Sequence, residues 1–206
     1  MVFMGGEVPE WCLSGWDTYA MASVGNRRLN LPCHYASTDD YRAMWIALET
    51  LAARGYRRPG LAMERSQHVI RSDYRGLAAF LAWHAQRGET RPPLCWTEKW
   101  DRGEFSRWRE RERPDVVLAI ERAPLDFLRE AGAEVPGEVG FAHLDLDETT
   151  EGISGIRQLN REAGRSAAHL VIDQINRVTY GRPAHPRSIQ ITGEWCDGGT
   201  VAGLKT

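Results

Sequence analysis

An α/β fold built on a parallel sheet is what this sequence predicts, and three observations lead there. Two short apolar runs, Val116–Ile120 and Val139–Leu144, flank a helix-length stretch closed by Gly132 and Pro136. Short β-branched runs of this kind alternate with amphipathic segments through much of the chain, the pattern of strands joined by crossover helices. The second run also ends in a carboxylate, Asp145, and parallel sheets bind ligands outside the carboxyl ends of their strands. Asp145 thus occupies a binding position on a scaffold with no obvious catalytic equipment.

The elements follow in order. Val2-Phe3-Met4 reads as a short strand ending at Gly5-Gly6, and residues 8–31 as loops around one weak strand at 19–24. A strong helix begins near Asp39 or Asp40, with Tyr41, Met44, Trp45, Leu48 and Leu51 at helical spacing, and Gly55 stops it. Pro59 lacks an amide donor, so it belongs at the first residue of the strand Gly60–Met63. A second helix starts near Ser72 and puts Tyr74, Leu77, Phe80, Leu81 and His84 on one side. Pro93–Trp96 is a brief strand. The charged segment 102–113 turns Phe105 and Trp108 inward and carries Glu/Arg pairs at helical spacing outside. Strand 115–120, helix 124–131 and strand 138–143 continue the alternation. Helix 160–177 has Asn160 as its cap and a core stripe of Ala163, Ala167, Leu170, Val171 and Ile175. The tail, 187–195, alternates Ile189 and Ile191 with polar residues like an edge strand.

Composition narrows the function classes. The chain has 206 residues, 42% hydrophobic and 26% charged, with a formal net charge of -2, enough for one sizeable core or two small lobes. No general basic excess marks a nucleic-acid surface. Cys12, Cys33, Cys95 and Cys196 are widely spaced with no C-x-x-C pair, which fits reduced thiols rather than a disulfide framework or a metal site. The first residues lack a basic export signal, and no stretch approaches the roughly 18 apolar residues of a membrane span. A cytoplasmic protein without cofactors is expected.

Several segments together carry a resemblance to a known family. Asp39–Leu51 leading into Arg54-Gly55-Tyr56-Arg57-Arg58-Pro59-Gly60-Leu61-Ala62 resembles a helix followed by a "GHRRIGL"-type strand. Arg75–Phe80 resembles an "R-x-x-G-F" helix start. Pro114–Val117, Glu134–Phe141 and Leu144-Asp145 resemble a "PDAI…VP-x-DV-x-VVG-x-D" track, and Ile191–Thr200 a "GEWVDG-x-T" ending. In that order and spacing they resemble the effector-binding core of the lactose-repressor (LacI) family of bacterial transcription regulators, over residues 39–200. Departures are Pro59 for Ile, Ala78 for a helix Gly, Leu146 after Asp145, and Glu121-Arg122 for Asn-Asp.

The resemblance implies a two-lobed, periplasmic-binding-protein-like (type I) α/β fold with parallel sheets and an incomplete first lobe. It implies residues 1–63 and 157–182 in the N-terminal lobe, and 64–156 and 183–206 in the C-terminal lobe. The family's helix-turn-helix and central first-lobe strands are expected to be missing, so that the chain reads as truncated, without operator binding of its own and prone to aggregate. A sugar or sugar-like effector is implied, clasped by an Arg and an Asp across a gap that closes; here these are Arg75 and Asp145. A guanidinium fork donates to vicinal hydroxyl oxygens and a carboxylate accepts from hydroxyls, so the chemistry suits a polyol. Arg71, one turn before Arg75, Glu121 after its strand, and Gln158 complete the candidate set, and Trp16 and Trp96 are expected in the core. A homodimer is implied for the intact protein. The alternatives are a transporter's solute-binding protein, or a carbohydrate-active enzyme using the acidic group Asp145, Asp147 and Glu148.

Overall fold

The structure, a computed structural model, describes residues 2–4, 14–25, 33–65 and 72–203. It divides into two compact units: Met1–Asp39, Arg71–Asp73 and Leu159–Thr192 form the first, and Asp40–Ile70, Tyr74–Gln158 and Gly193–Thr206 the second. Among the described residues no helix is long and apolar enough to cross a membrane.

The first unit is a parallel sheet of β1 (Val2–Met4), β2 (Ala22–Val24), β3 (His34–Thr38) and β9 (Ser188–Ile191), in the order β1-β2-β3-β9. Its helix is Asn160–Asn176, α5 in chain order. The two meet through Ala22, Ala36, Ala167 and Leu170. Strand β3 has no counterpart among the expected elements, and neither has the strand Gly155–Arg157 of the second unit. The β3 sequence, HYAST, is short and has a single β-branched residue, so pattern alone is weak.

Helix α5 corrects two sequence expectations. Its buried stripe is Ala163, Ala167, Leu170 and Gln174, while Ile175 is half exposed. The glutamine wins the inward position because its amide satisfies buried backbone: Met21 N–H donates to Oε1 at 3.1 Å, and Nε2 donates to the carbonyls of Met21 and Leu170 at 3.0 and 2.9 Å. The helix N-cap position falls on Leu159, without a side-chain cap, rather than on Asn160.

The second unit is a six-stranded sheet in the order β10-β8-β7-β6-β4-β5. Its strands are β4 (Pro59–Glu64), β5 (Leu94–Thr97), β6 (Val116–Ala119), β7 (Gly140–Leu146), β8 (Gly155–Arg157) and β10 (Glu194–Cys196). All neighbours run parallel except β10, which is antiparallel to β8. Four helices belong to it: α1 (Asp40–Ala53), α2 (Arg75–Gln86), α3 (Arg102–Glu112) and α4 (Ala123–Glu130).

Strand β6 is buried throughout and serves two cores by its two-residue alternation. Val116 and Leu118 join Met44, Leu48 and Leu51 of α1 and Phe80 of α2, while Val117 and Ala119 join Phe105 and Trp108 of α3 and Leu125 and Leu128 of α4. Pro59 is the first residue of β4, as the missing amide donor requires. On α2, Trp83 lies in the core, whereas Leu81, expected there, is 42% exposed.

The division into units differs from the expected lobe boundaries. Residues 40–63 fall in the second unit because α1 packs against α2 and shares its core with Leu61 of β4. The tail is not one strand: β9 pairs with β3 in the first unit, and β10 pairs with β8 in the second.

Candidate functional site

Parallel order fixes where the chemistry gathers. In a sheet with β-helix-β connections, every carboxyl end of a strand and every following helix N-terminus lies on one edge. In the second unit that edge collects Glu64 at the end of β4, Thr97 at the end of β5, Glu121 after β6, Asp145 near the end of β7 and Gln158 after β8. Arg75 opens α2 and so stands on the same edge. The two residues before it, Asp73 and Tyr74, both have left-handed backbone, at φ 53° and 54°, an uncommon conformation for residues with a Cβ. Tyr74 packs against Trp96 of β5, ring centroids 5.9 Å apart.

Four of the five candidates therefore share an edge, and Arg71 lies outside the described residues. Arg75 and Asp145 both belong to the second unit and are both half-buried. The backbone at Asp145 is held by its neighbour: its N–H donates to Nδ1 of buried His143 at 3.1 Å. That bond assigns the His143 proton to Nε2, and burial holds its imidazole below the usual pKa, so the ring stays neutral. Close packing of β8 on β7 depends on Gly155, where an added Cβ would stand 1.9 Å from the His143 carbonyl oxygen, a backbone atom that cannot swing aside.

Glu121 and Gln158 each present one unsatisfied oxygen. Gln158 donates from Nε2 to the Leu144 carbonyl at 3.2 Å, which ties it to β7, while its Oε1 is buried without a partner. Glu121 Oε2 is likewise buried and unpartnered. Burial pushes the Glu121 carboxyl up to about 7, with the charge of Glu64 adding to the shift. Glu64 itself accepts the Trp100 backbone N–H at 3.1 Å. Glu64 was missed in the sequence, since only the adjacency of β4 and β6 brings it near Glu121.

Asp147, weighed as a catalytic partner of Asp145, has another task. It caps the 3-10 turn Glu148–Thr150, where Oδ1 accepts Thr149 N–H at 2.8 Å and the Thr149 hydroxyl at 2.6 Å. These bonds hold its carboxyl below the usual range. Trp16 is buried in the first unit, and Trp96 packs against the apolar core of the second. Among the described residues no group of three or more His, Cys, Asp or Glu side chains could hold a metal ion.

Two surface hollows of the second unit lie elsewhere. One, of about 510 Å³, is lined by Arg109, Arg113, Asp115 and Glu138 among others, at the amino edge of the sheet. The other, of about 370 Å³, lies between the 3-10 turn and β10, with Asp147, Arg157 and Cys196 in its wall. Neither is lined by Arg75, Glu121, Asp145 or Gln158.

Comparison with known proteins supplies the family. None of the curated proteins matches the sequence. Among solved structures, the chain resembles the transcriptional regulator CelR in complex with cellobiose, at 18% identity and a TM-score of 0.70, over 87% of this chain and 58% of that one. It spans less than two thirds of that regulator's length. A LacI family transcriptional regulator from Enterococcus faecalis with bound ribose matches at 15% identity and a TM-score of 0.69, over 99% of this chain and 78% of that one. A transcription regulator from Lactobacillus plantarum matches at 12% identity and a TM-score of 0.75, over 98% and 80%. At these identities the likeness is one of fold. A family model described as a periplasmic binding protein-like domain matches residues 48–201, three quarters of the sequence, and the chain belongs to that family.

Proposed function

We propose that this chain is the effector-binding core of a LacI-type transcription regulator, and that its effector is a sugar or sugar-like small molecule. The observation that carries the reading is the gathering of Arg75, Glu121, Asp145 and Gln158 on the carboxyl edge of one parallel sheet, in a member of a binding-protein-like family. Cellobiose and ribose occupy proteins of similar fold, which supports a polyol as ligand.

In this reading Arg75 donates paired hydrogen bonds to vicinal oxygens, and Asp145, fixed through His143, accepts from hydroxyls. Arg71 belongs to the same proposed set. Binding acts without turnover: Asp147 is committed to its cap, so the acidic group does not offer the facing carboxylates of a glycosidase. Ligand occupancy is then read out by a DNA-reading helix-turn-helix domain in a cytoplasmic homodimer, by a shift in conformational populations.

The test is calorimetric titration with a panel that includes cellobiose and ribose. Binding of at least one member is expected, weakened about tenfold or more by Arg75→Ala and by Asp145→Asn, since each removes a charge-assisted hydrogen bond. Undiminished affinity in both variants contradicts the assignment.

A further inference from the structure

The acid at position 121 bears on the charge of the ligand. Glu121 stands just beyond β6, with Oε2 buried and unpartnered. Glu64, at the end of the adjacent strand β4, lies near enough to repel its charge. The cations beside these two acids in sequence are engaged elsewhere: Arg65 pairs with Glu98 at 3.1 Å, and Arg122 with Asp126 at 3.3 Å. From β7, on the other side of β6, His143 stands in register with Ala119, and its ring is neutral. Asp145, further along β7, adds another carboxylate to the edge. The remaining orphaned atom among the candidates, Gln158 Oε1, is also an acceptor. This part of the edge is rich in acceptors, and among the described residues no cation pairs with Glu121.

A neutral polyol supplies hydroxyl protons but leaves the two glutamates repelling one another. An ammonium group supplies three donors and a positive charge, and charge-assisted hydrogen bonds are roughly twice as strong as neutral ones. Resting on the ligand site proposed above, we propose that the ligand carries a protonated amino group, as in an amino sugar, and that this group pairs with Glu121 with Glu64 behind it.

The experiment is calorimetric titration of the full chain at pH 7 with matched pairs: D-glucose and D-glucosamine, D-galactose and D-galactosamine, D-mannose and D-mannosamine. In at least one pair the aminated member is expected to bind about tenfold tighter, the difference between a charged and a neutral hydrogen bond. Glu121→Gln, which keeps the shape and removes the acid, is expected to bring the pair within about twofold, and Glu64→Gln to narrow the gap part of the way. A neutral sugar bound as tightly as its aminated partner overturns this inference and leaves the ligand-site reading standing. The same holds for an amine preference that survives in Glu121→Gln. Binding of no member of any pair counts against both. Circular dichroism melts of the variants confirm that each comparison is made on folded protein.

Discussion

The two units solve the same problem of covering a parallel sheet by different means. In the second unit, helices α1 and α2 share one apolar core with the sheet and α3 and α4 another, and large side chains such as Phe80, Phe105, Phe141 and Leu118 are fully buried. Each such residue contributes roughly 1.5–3 kcal/mol by leaving water. In the first unit, the small cluster of Ala22, Ala36, Ala167 and Leu170 is completed by an amide, Gln174, that bonds the backbone of Met21. Among the described residues the second unit has the broader apolar cores, and the first, which also buries Trp16 and Met21, adds a polar anchor. The unit with the deeper cores also carries the candidate ligand edge, a rigid base for loops that must hold a small molecule.

The largest expected effect tests the apolar half of that contrast. Leu118→Ala removes a side chain packed between β6 and helices α1 and α2, and is expected to cost about 2–5 kcal/mol in denaturant unfolding. Gln174→Met is next. It keeps bulk but leaves the buried Met21 N–H and carbonyl without their partner, at about 1–3 kcal/mol. An effect below about 0.5 kcal/mol for Gln174→Met would show that the first unit does not lean on this amide.

A smaller effect changes with pH and sharpens the picture of the ligand edge. The Glu121 carboxyl is raised from its ordinary 4.5 to about 7, so the folded state holds a proton that the unfolded chain gives up earlier. Stability from this group is therefore full below about 4.5, declines as pH rises toward 7 and stays lost above it. Glu121→Gln is expected to raise the melting temperature at pH 8 and to change it little at pH 4. An equal rise at both values would contradict the assignment of a buried, uncompensated acid. Smallest of all, Arg165→Ala breaks an exposed pair with Glu162 on α5 and is expected to change stability by less than about 0.5 kcal/mol.

What was legible in the sequence follows the strength of local pattern. Val116–Ala119 is an unbroken apolar run and is a strand, Phe105 and Trp108 are the buried side of their charged helix, and Pro59 begins its strand. Strand β3 escaped because its sequence, HYAST, holds no apolar run and one β-branched residue, and its parallel partners β2 and β9 are far apart in sequence. Ile175 was misplaced because hydrophobicity was read without the hydrogen-bond demand that draws Gln174 inward. Strand ends marked Glu121 and Asp145 and the family resemblance marked Arg75, but the common edge was not legible: Gln158 was expected in the other lobe, and all four belong to the second unit. Nor was the pairing of Glu64 with Glu121, because it arises from β4 lying next to β6, strands that are not consecutive in the chain.

Hydrogen–deuterium exchange with and without a bound sugar tests the central claim most directly. The account predicts new protection at the carboxyl edge of the six-stranded sheet, around residues 64–65, 74–76, 120–122, 144–146 and 158. Protection confined to the amino edge, around Arg109, Arg113 and Glu138, would contradict it.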